Sequence, residues 1–149
     1  MFQLSSSDVD VIVRLVSAAF LGGLIGIERE HHGKEAGFRT YALVCLGSAL
    51  MMIVSIQVFE IFKGKAGVDP SRIAAQAVSG IGFLGAGAIF RQPNEIKGLT
   101  TAAGIWTAAG IGLACGLGEY RSAVITTVLT LVILLVFSKI TRMLGGKDI

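Results

Sequence analysis

The sequence predicts an all-α membrane protein, a five-transmembrane-helix bundle in one domain, packed through glycine and alanine. Two observations carry this prediction. Of 149 residues, 53% are hydrophobic and only 15% charged, against about 25% charged in an ordinary soluble domain. The charges are also gathered into short connections, which leaves apolar stretches at about 9–27, 41–62, 73–90, 99–117 and 122–141. Each approaches the ~20 residues a helix needs to cross the hydrocarbon core. One such stretch suits the centre of a soluble protein; five in a chain this short leave nothing to cover them.

Span one opens with Ser7 as a helix cap and Asp8 and Asp10 in the first turn, where the helix dipole favours carboxylates. Arg14 follows Asp10 by four residues, so the two can pair on one face while the guanidinium snorkels to the headgroups. No basic segment precedes this span, so it reads as a retained helix and not a cleaved signal. Gly22 and Gly26 give it a small face for a neighbouring helix. Cys45 in span two and Cys115 in span four read as small core residues, with no framework for a disulfide or thiolate metal site.

Span three starts at Asp69-Pro70, an N-cap aspartate followed by proline at the first helical position. Arg72 there opposes the helix dipole and needs a carboxylate, while Gln76 is a polar group at membrane depth that needs a partner. The run Gly80, Gly82, Gly85 and Gly87 contains G-x-G-x-x-G, the dinucleotide fingerprint. That fingerprint requires a preceding strand and an acidic residue about 20 positions on. Position 105 is Ile, between Gly104 and Trp106, and the run lies in a charge-free segment. It is expected instead to be the closest-packed face of span three. In span four, Thr100, Gly104, Ala108, Gly112 and Gly116 recur every four residues as a continuous small stripe, and Trp106 is expected to pack inward. Span five lacks glycine, as suits an outer helix facing lipid.

The polar residues at the span ends form the candidate ion or partner site: Glu28, Arg29, Arg39, Thr40, Asp69, Arg72, Gln76, Thr100 and Thr101. Glu28 at a helix C-terminus and Arg39 at a helix N-terminus each oppose their own dipole, so they are expected to pair across the connection. Adjacent His31 and His32 lack metal-ligand spacing and read as a solvated loop. Thr100 and Thr101 read as a helix cap or, with free amides, as an anion or lipid-headgroup site. Glu28 and Asp69 are the candidate ligands for magnesium, which uses one or two carboxylates and keeps its waters. No nucleophile-and-base set, cofactor motif or nucleic-acid footprint stands out, so no enzyme is expected.

Assembled, these blocks closely resemble the MgtC/SapB family of bacterial inner-membrane proteins. The resemblance rests on Gly22-Gly23-Leu24-Ile25-Gly26-Ile27-Glu28-Arg29, Ala36-Gly37-Phe38-Arg39-Thr40 and Asp69-Pro70-Ser71-Arg72-Ile73-Ala74-Ala75-Gln76 running into Ser79–Ile89. It continues in Lys97-Gly98-Leu99-Thr100-Thr101-Ala102-Ala103 with Trp106, so it covers about residues 20–120. It implies a five-helix inner-membrane protein tied to growth at low magnesium and, in pathogens, to survival inside macrophages. Longer members add a soluble cytoplasmic domain, which is not expected after span five here. Two functions stay open. One is a regulator that associates with membrane proteins or its own copies through small-residue faces; a homo-oligomer is expected. The other is a transporter or channel for a divalent cation. Basic residues are more numerous on the side holding the Glu28–Thr40 connection, which places the N-terminus outside and the C-terminus in the cytoplasm.

Overall fold

A computed structural model describes residues 6–64, 67, 69–93, 95–138 and 143. It contains α1 (Ser6–His31), α2 (Phe38–Phe62), α3 (Arg72–Gly87), β1 (Phe90–Gln92), β2 (Glu95–Lys97), α4 (Leu99–Leu117) and α5 (Tyr120–Val132), which runs on as a π-helical turn, Ile133–Phe137. Four of these helices are long and apolar enough to cross a membrane: α1, α2, α4 and α5 with its π turn. The fifth, α3, has 16 residues, or about 24 Å at 1.5 Å per residue, short of a ~30 Å hydrocarbon core. The expected stretch to residue 90 is cut because the chain leaves the helix after Gly87 and enters an antiparallel hairpin, Phe90 opposite Lys97. Pro93 presets the turn between the strands. Residues 139–141 of the fifth expected span lie outside the described residues.

Helix ends follow from local chemistry. Gly33 takes a left-handed φ of 64°, and the N–H groups of Gly33 and Lys34 bond to the carbonyls of Glu30 and Arg29. Gly118, at φ 90°, closes α4 in the same way through the carbonyls of Cys115 and Ala114. Both are Schellman closures, which satisfy carbonyls that a helix end leaves unpaired. Gly98 is also left-handed, and a Cβ there would collide with the Ala88 carbonyl. The hairpin can therefore hand over to α4 only through glycine.

The core is a three-helix sandwich with α2 in the middle. On one side, a Cβ at Gly22 would lie under 3.0 Å from the Tyr41 carbonyl and from Cys45, and one at Gly26 would meet the backbone of Phe38. On the other, Gly104 faces Tyr41, Gly112 faces the Cys45 backbone and Gly116 faces Ala49, again under 3.0 Å. The four-residue repeat of α4 thus rides on the four-residue repeat Tyr41, Cys45, Ala49 of α2. Cys45 Sγ–H donates to the Ala108 carbonyl at 2.9 Å and Tyr41 Oη–H to the Thr101 carbonyl at 3.3 Å. In lipid, such close backbone approach supplies the packing that hydrophobic burial supplies in water. α5 adds one stripe, Ala123, Thr127, Thr130 and Leu134, and otherwise faces outward.

α3 stands apart. Only Ala74 and Gly85 on it are buried. A Cβ at Gly80, Gly82 or Gly87 would meet nothing within 4 Å, and one at Gly85 would make only ordinary contact with Ala102. Within this chain, the glycine run is therefore not the closest-packed face of its helix. Trp106 is likewise 57% exposed instead of packed inward, because the α4 face toward α2 is reserved for residues without bulk.

Candidate functional site

At the end of the bundle formed by the α1–α2 connection, α1 finishes in a buried ionic cluster. Glu28 and Arg29 are 8% and 3% exposed. Arg29 Nε donates to Glu28 Oε2 at 2.5 Å and its Nη2 to Oε1 at 2.7 Å. His32 Nδ1 lies 3.1 Å from Glu28 Oε1 and 2.9 Å from the Glu28 carbonyl oxygen. The expected Glu28–Arg39 pair does not form: Arg39 is exposed, and the neighbouring guanidinium already holds both carboxylate oxygens. Neighbours in a helix normally diverge. Here Arg29 folds back because a buried carboxylate without a partner is costly. Glu30, one residue on, accepts the Phe38 backbone N–H at 2.9 Å and so fastens the start of α2 to the end of α1.

Two cavities flank this end. One, of about 370 Å³ between α2, α3 and α4, has Glu35, Thr40 and Thr101 as its polar lining, with Phe83 and Phe90 among the apolar groups. Gly98, not a threonine, precedes α4. Thr100 and Thr101 therefore lie inside its first turn and do not cap it; Thr101 is 2% exposed. The second cavity, about 380 Å³, is a cleft between α2 and α3 bordered by Gly47, Ser48, Ala77 and Gly80. Val44 and Leu84 line both, so the two cavities adjoin along α2.

Asp69, Arg72 and Gln76 belong elsewhere, since α2 carries the chain to the opposite end before α3 begins. Asp69 Oδ1 accepts the Ser71 backbone N–H at 2.8 Å and its hydroxyl at 2.7 Å. Donation from the Ser71 N–H, then from its hydroxyl, holds the Asp69 carboxyl below its usual value, with Arg72 adding a smaller pull. A lowered carboxylate contributes stability above the unfolded value, and loses it as pH falls through the folded one. The helix itself begins at Arg72, two residues beyond the proline. Gln76 is exposed on α3. Glu28 and Asp69 thus stand at opposite ends of the bundle, and among the described residues no three His, Cys, Asp or Glu side chains converge as metal ligands.

Sequence reading missed the role of Arg14. Its Nη2 pairs with Asp10 at 2.8 Å as expected, but its Nη1 also donates to the Gly116 carbonyl at 2.7 Å. It therefore caps the C-terminal end of α4, where the dipole favours a cation. The signal was available: Arg14 and the Gly116-Leu117-Gly118 terminus fall at the same bundle end.

The MgtC family model matches residues 15–143. The chain is 48% identical over 141 residues to "Putative magnesium transporter YhiD" of Escherichia coli K12, covering 93% of this chain and 66% of that protein. It is 46% identical over 120 residues to "Protein MgtC" of Salmonella typhimurium, covering 80% of this chain and 49% of that one. An uncharacterized protein of Haemophilus influenzae is 43% identical over 126 residues, with 82% and 53% covered. The chain thus spans from about half to two thirds of the length of these relatives. No solved structure matches it. With its apolar helices and this similarity across nearly its whole length, the chain is a multi-pass membrane protein and belongs to the MgtC family.

Proposed function

We propose that this is a non-enzymatic inner-membrane protein of magnesium homeostasis that acts by associating with membrane proteins or with its own copies. The carrying observation is the state of Glu28, the one deeply buried carboxylate among the described residues. Both oxygens of Glu28 are taken by Arg29, which leaves it poorly suited to ligate a passing cation. Meanwhile α3 turns Gln76, Ser79, Gly82 and Ala86 outward around Phe83, a face with small residues of the type that joins helices in lipid. The link to magnesium rests on family membership and on the name carried by the Escherichia coli relative.

In this reading α3 spans as well, with Ile89 and Phe90 completing its apolar length, so the bundle has five transmembrane helices. The N-terminus is outside and the C-terminus cytoplasmic. Lys65, Lys139, Arg142 and Lys147, which enter that charge comparison, lie outside the described residues.

Magnesium transport is the second reading, favoured by the same Glu28, since a buried carboxylate at the membrane boundary is what permeation paths display. Purified chain reconstituted alone into proteoliposomes separates the two. The expected result is no Mg²⁺ entry above empty vesicles, together with a mass in detergent above that of one protomer. Mg²⁺ entry abolished by Glu28→Gln would establish transport and overturn the regulatory reading. A strictly monomeric protein, with no crosslinked partner recovered from native membranes, would remove the association.

A further inference from the structure

The glycines that pack against nothing shape a space. Gly47 on α2 and Gly80 on α3 face each other across the cleft, and a Cβ at either would meet nothing within 4 Å. The cleft is apolar apart from Ser48, which is 4% exposed. It opens outward past Leu43 and Leu84, which are 65% and 51% exposed. A void of about 380 Å³ left empty in a bilayer forfeits the dispersion contacts of its whole lining. The neighbouring solvent there is hydrocarbon.

Length and polarity identify the occupant. From Thr40 in the first cavity to Met51 in the second, the two adjoining cavities together follow eleven residues of α2, or about 16 Å. One leaflet of the hydrocarbon core is about 15 Å deep, half of ~30 Å. The mouth, at the end of the bundle, is the most polar part, with the Glu35 carboxylate and the Thr40 and Thr101 hydroxyls. An apolar shaft one leaflet long beneath a polar rim matches one molecule already present.

We propose that this cleft seats one acyl chain of a bilayer phospholipid, whose headgroup rests at Glu35, Thr40 and Thr101. The glycines of α2 and α3 are then there to leave room for the chain, and the lipid completes a surface of α3 that the protein leaves uncovered. This does not depend on the association proposed above.

The test is the phospholipid retained by the full chain, purified from membranes in mild detergent and weighed intact by native mass spectrometry. Wild type retains one phospholipid per protomer. Gly47→Leu and Gly80→Leu each put a side chain into the cleft, with the Cβ striking no protein at either position. Either leucine takes up the room of the acyl chain and removes its contacts with the cleft lining, so the fraction of protomers carrying lipid falls. Gly110→Leu, equally open but on α4 outside both cavities, retains lipid as wild type does. Wild type emerging bare, or retention equal in all four proteins, overturns the proposal. So does a fall from oligomer to protomer mass in the cleft variants with lipid unchanged, since the occupant is then a second copy. Two separate single substitutions keep the result readable if one fails to fold.

Discussion

Gly104, Gly112 and Gly116 on α4 stand where a Cβ would come within 3.0 Å of α2, whereas Gly80, Gly82 and Gly87 on α3 have nothing within 4 Å. The two helices have nearly the same small-residue content and opposite surroundings. What separates them is the neighbour. The α4 repeat meets a matching repeat on α2, so Gly104 receives the Tyr41 phenol and Gly112 and Gly116 the backbone of Cys45 and Ala49. α3 meets α2 across Gly47 and Gly80, where two residues without side chains face each other and leave a gap. A glycine allows close approach only if something approaches.

The largest effects are expected where the tightly packed trio α1, α2 and α4 ends in charge. Arg29→Leu strands the buried Glu28 carboxylate and should cost about 3–5 kcal/mol, read as unfolding in a detergent titration. Replacing Glu28 and Arg29 together by leucine should be milder than either change alone, because no lone charge is left. A double variant as damaged as the worse single would show that the pair does more than neutralise itself.

Gly112→Leu tests the same trio within the α2–α4 seam. The new side chain would point at the Cys45 backbone, which cannot swing aside as a side chain does. Overpacking of this type costs about 1–3 kcal/mol and sometimes more. Normal assembly and thermal stability of this variant would refute the α2–α4 seam. An effect of similar size is expected at its end. Arg14→Leu loses the charged donor to the Gly116 carbonyl, worth about 1.5–3 kcal/mol when intact. Arg14→Lys should restore part of this, since a single ammonium cannot serve Asp10 and Gly116 with the same geometry.

Much of this architecture was legible. Apolar length marked α1, α2, α4 and α5, and the period of four in Gly104, Ala108, Gly112 and Gly116 marked the α4 face. What escaped was information held by pairs of elements. Glu28 was expected to seek Arg39, since each opposed its own helix dipole. Burial decided instead, and Arg29 was already adjacent. Arg14 read as an anchor because a cation near a span end usually is one, and its carbonyl partner is 102 residues away in sequence. The hairpin Phe90–Lys97 has strands of three residues, too short for a period of two to register. The polar candidates scattered to two ends of the bundle because their grouping rested on proximity to spans and ignored which end each span presents.

The smallest predicted effect is the sharpest test of the contrast between the helices. Gly80→Ala and Gly82→Ala add one methyl to α3 where nothing stands within 4 Å. Glycine in a helix interior is less favourable than alanine by about 1 kcal/mol, so each change should leave stability unaltered or raise it by up to that amount. Gly112→Ala makes the same chemical change on α4 and should destabilise, because there the methyl meets backbone. The sign of the effect, compared between the two helices in one detergent, depends on surroundings alone. If Gly80→Ala and Gly82→Ala instead destabilise as Gly112→Ala does, then α3 is packed in the membrane by something as close as α2. The cleft would then have to be reassigned from a lipid chain to a protein helix.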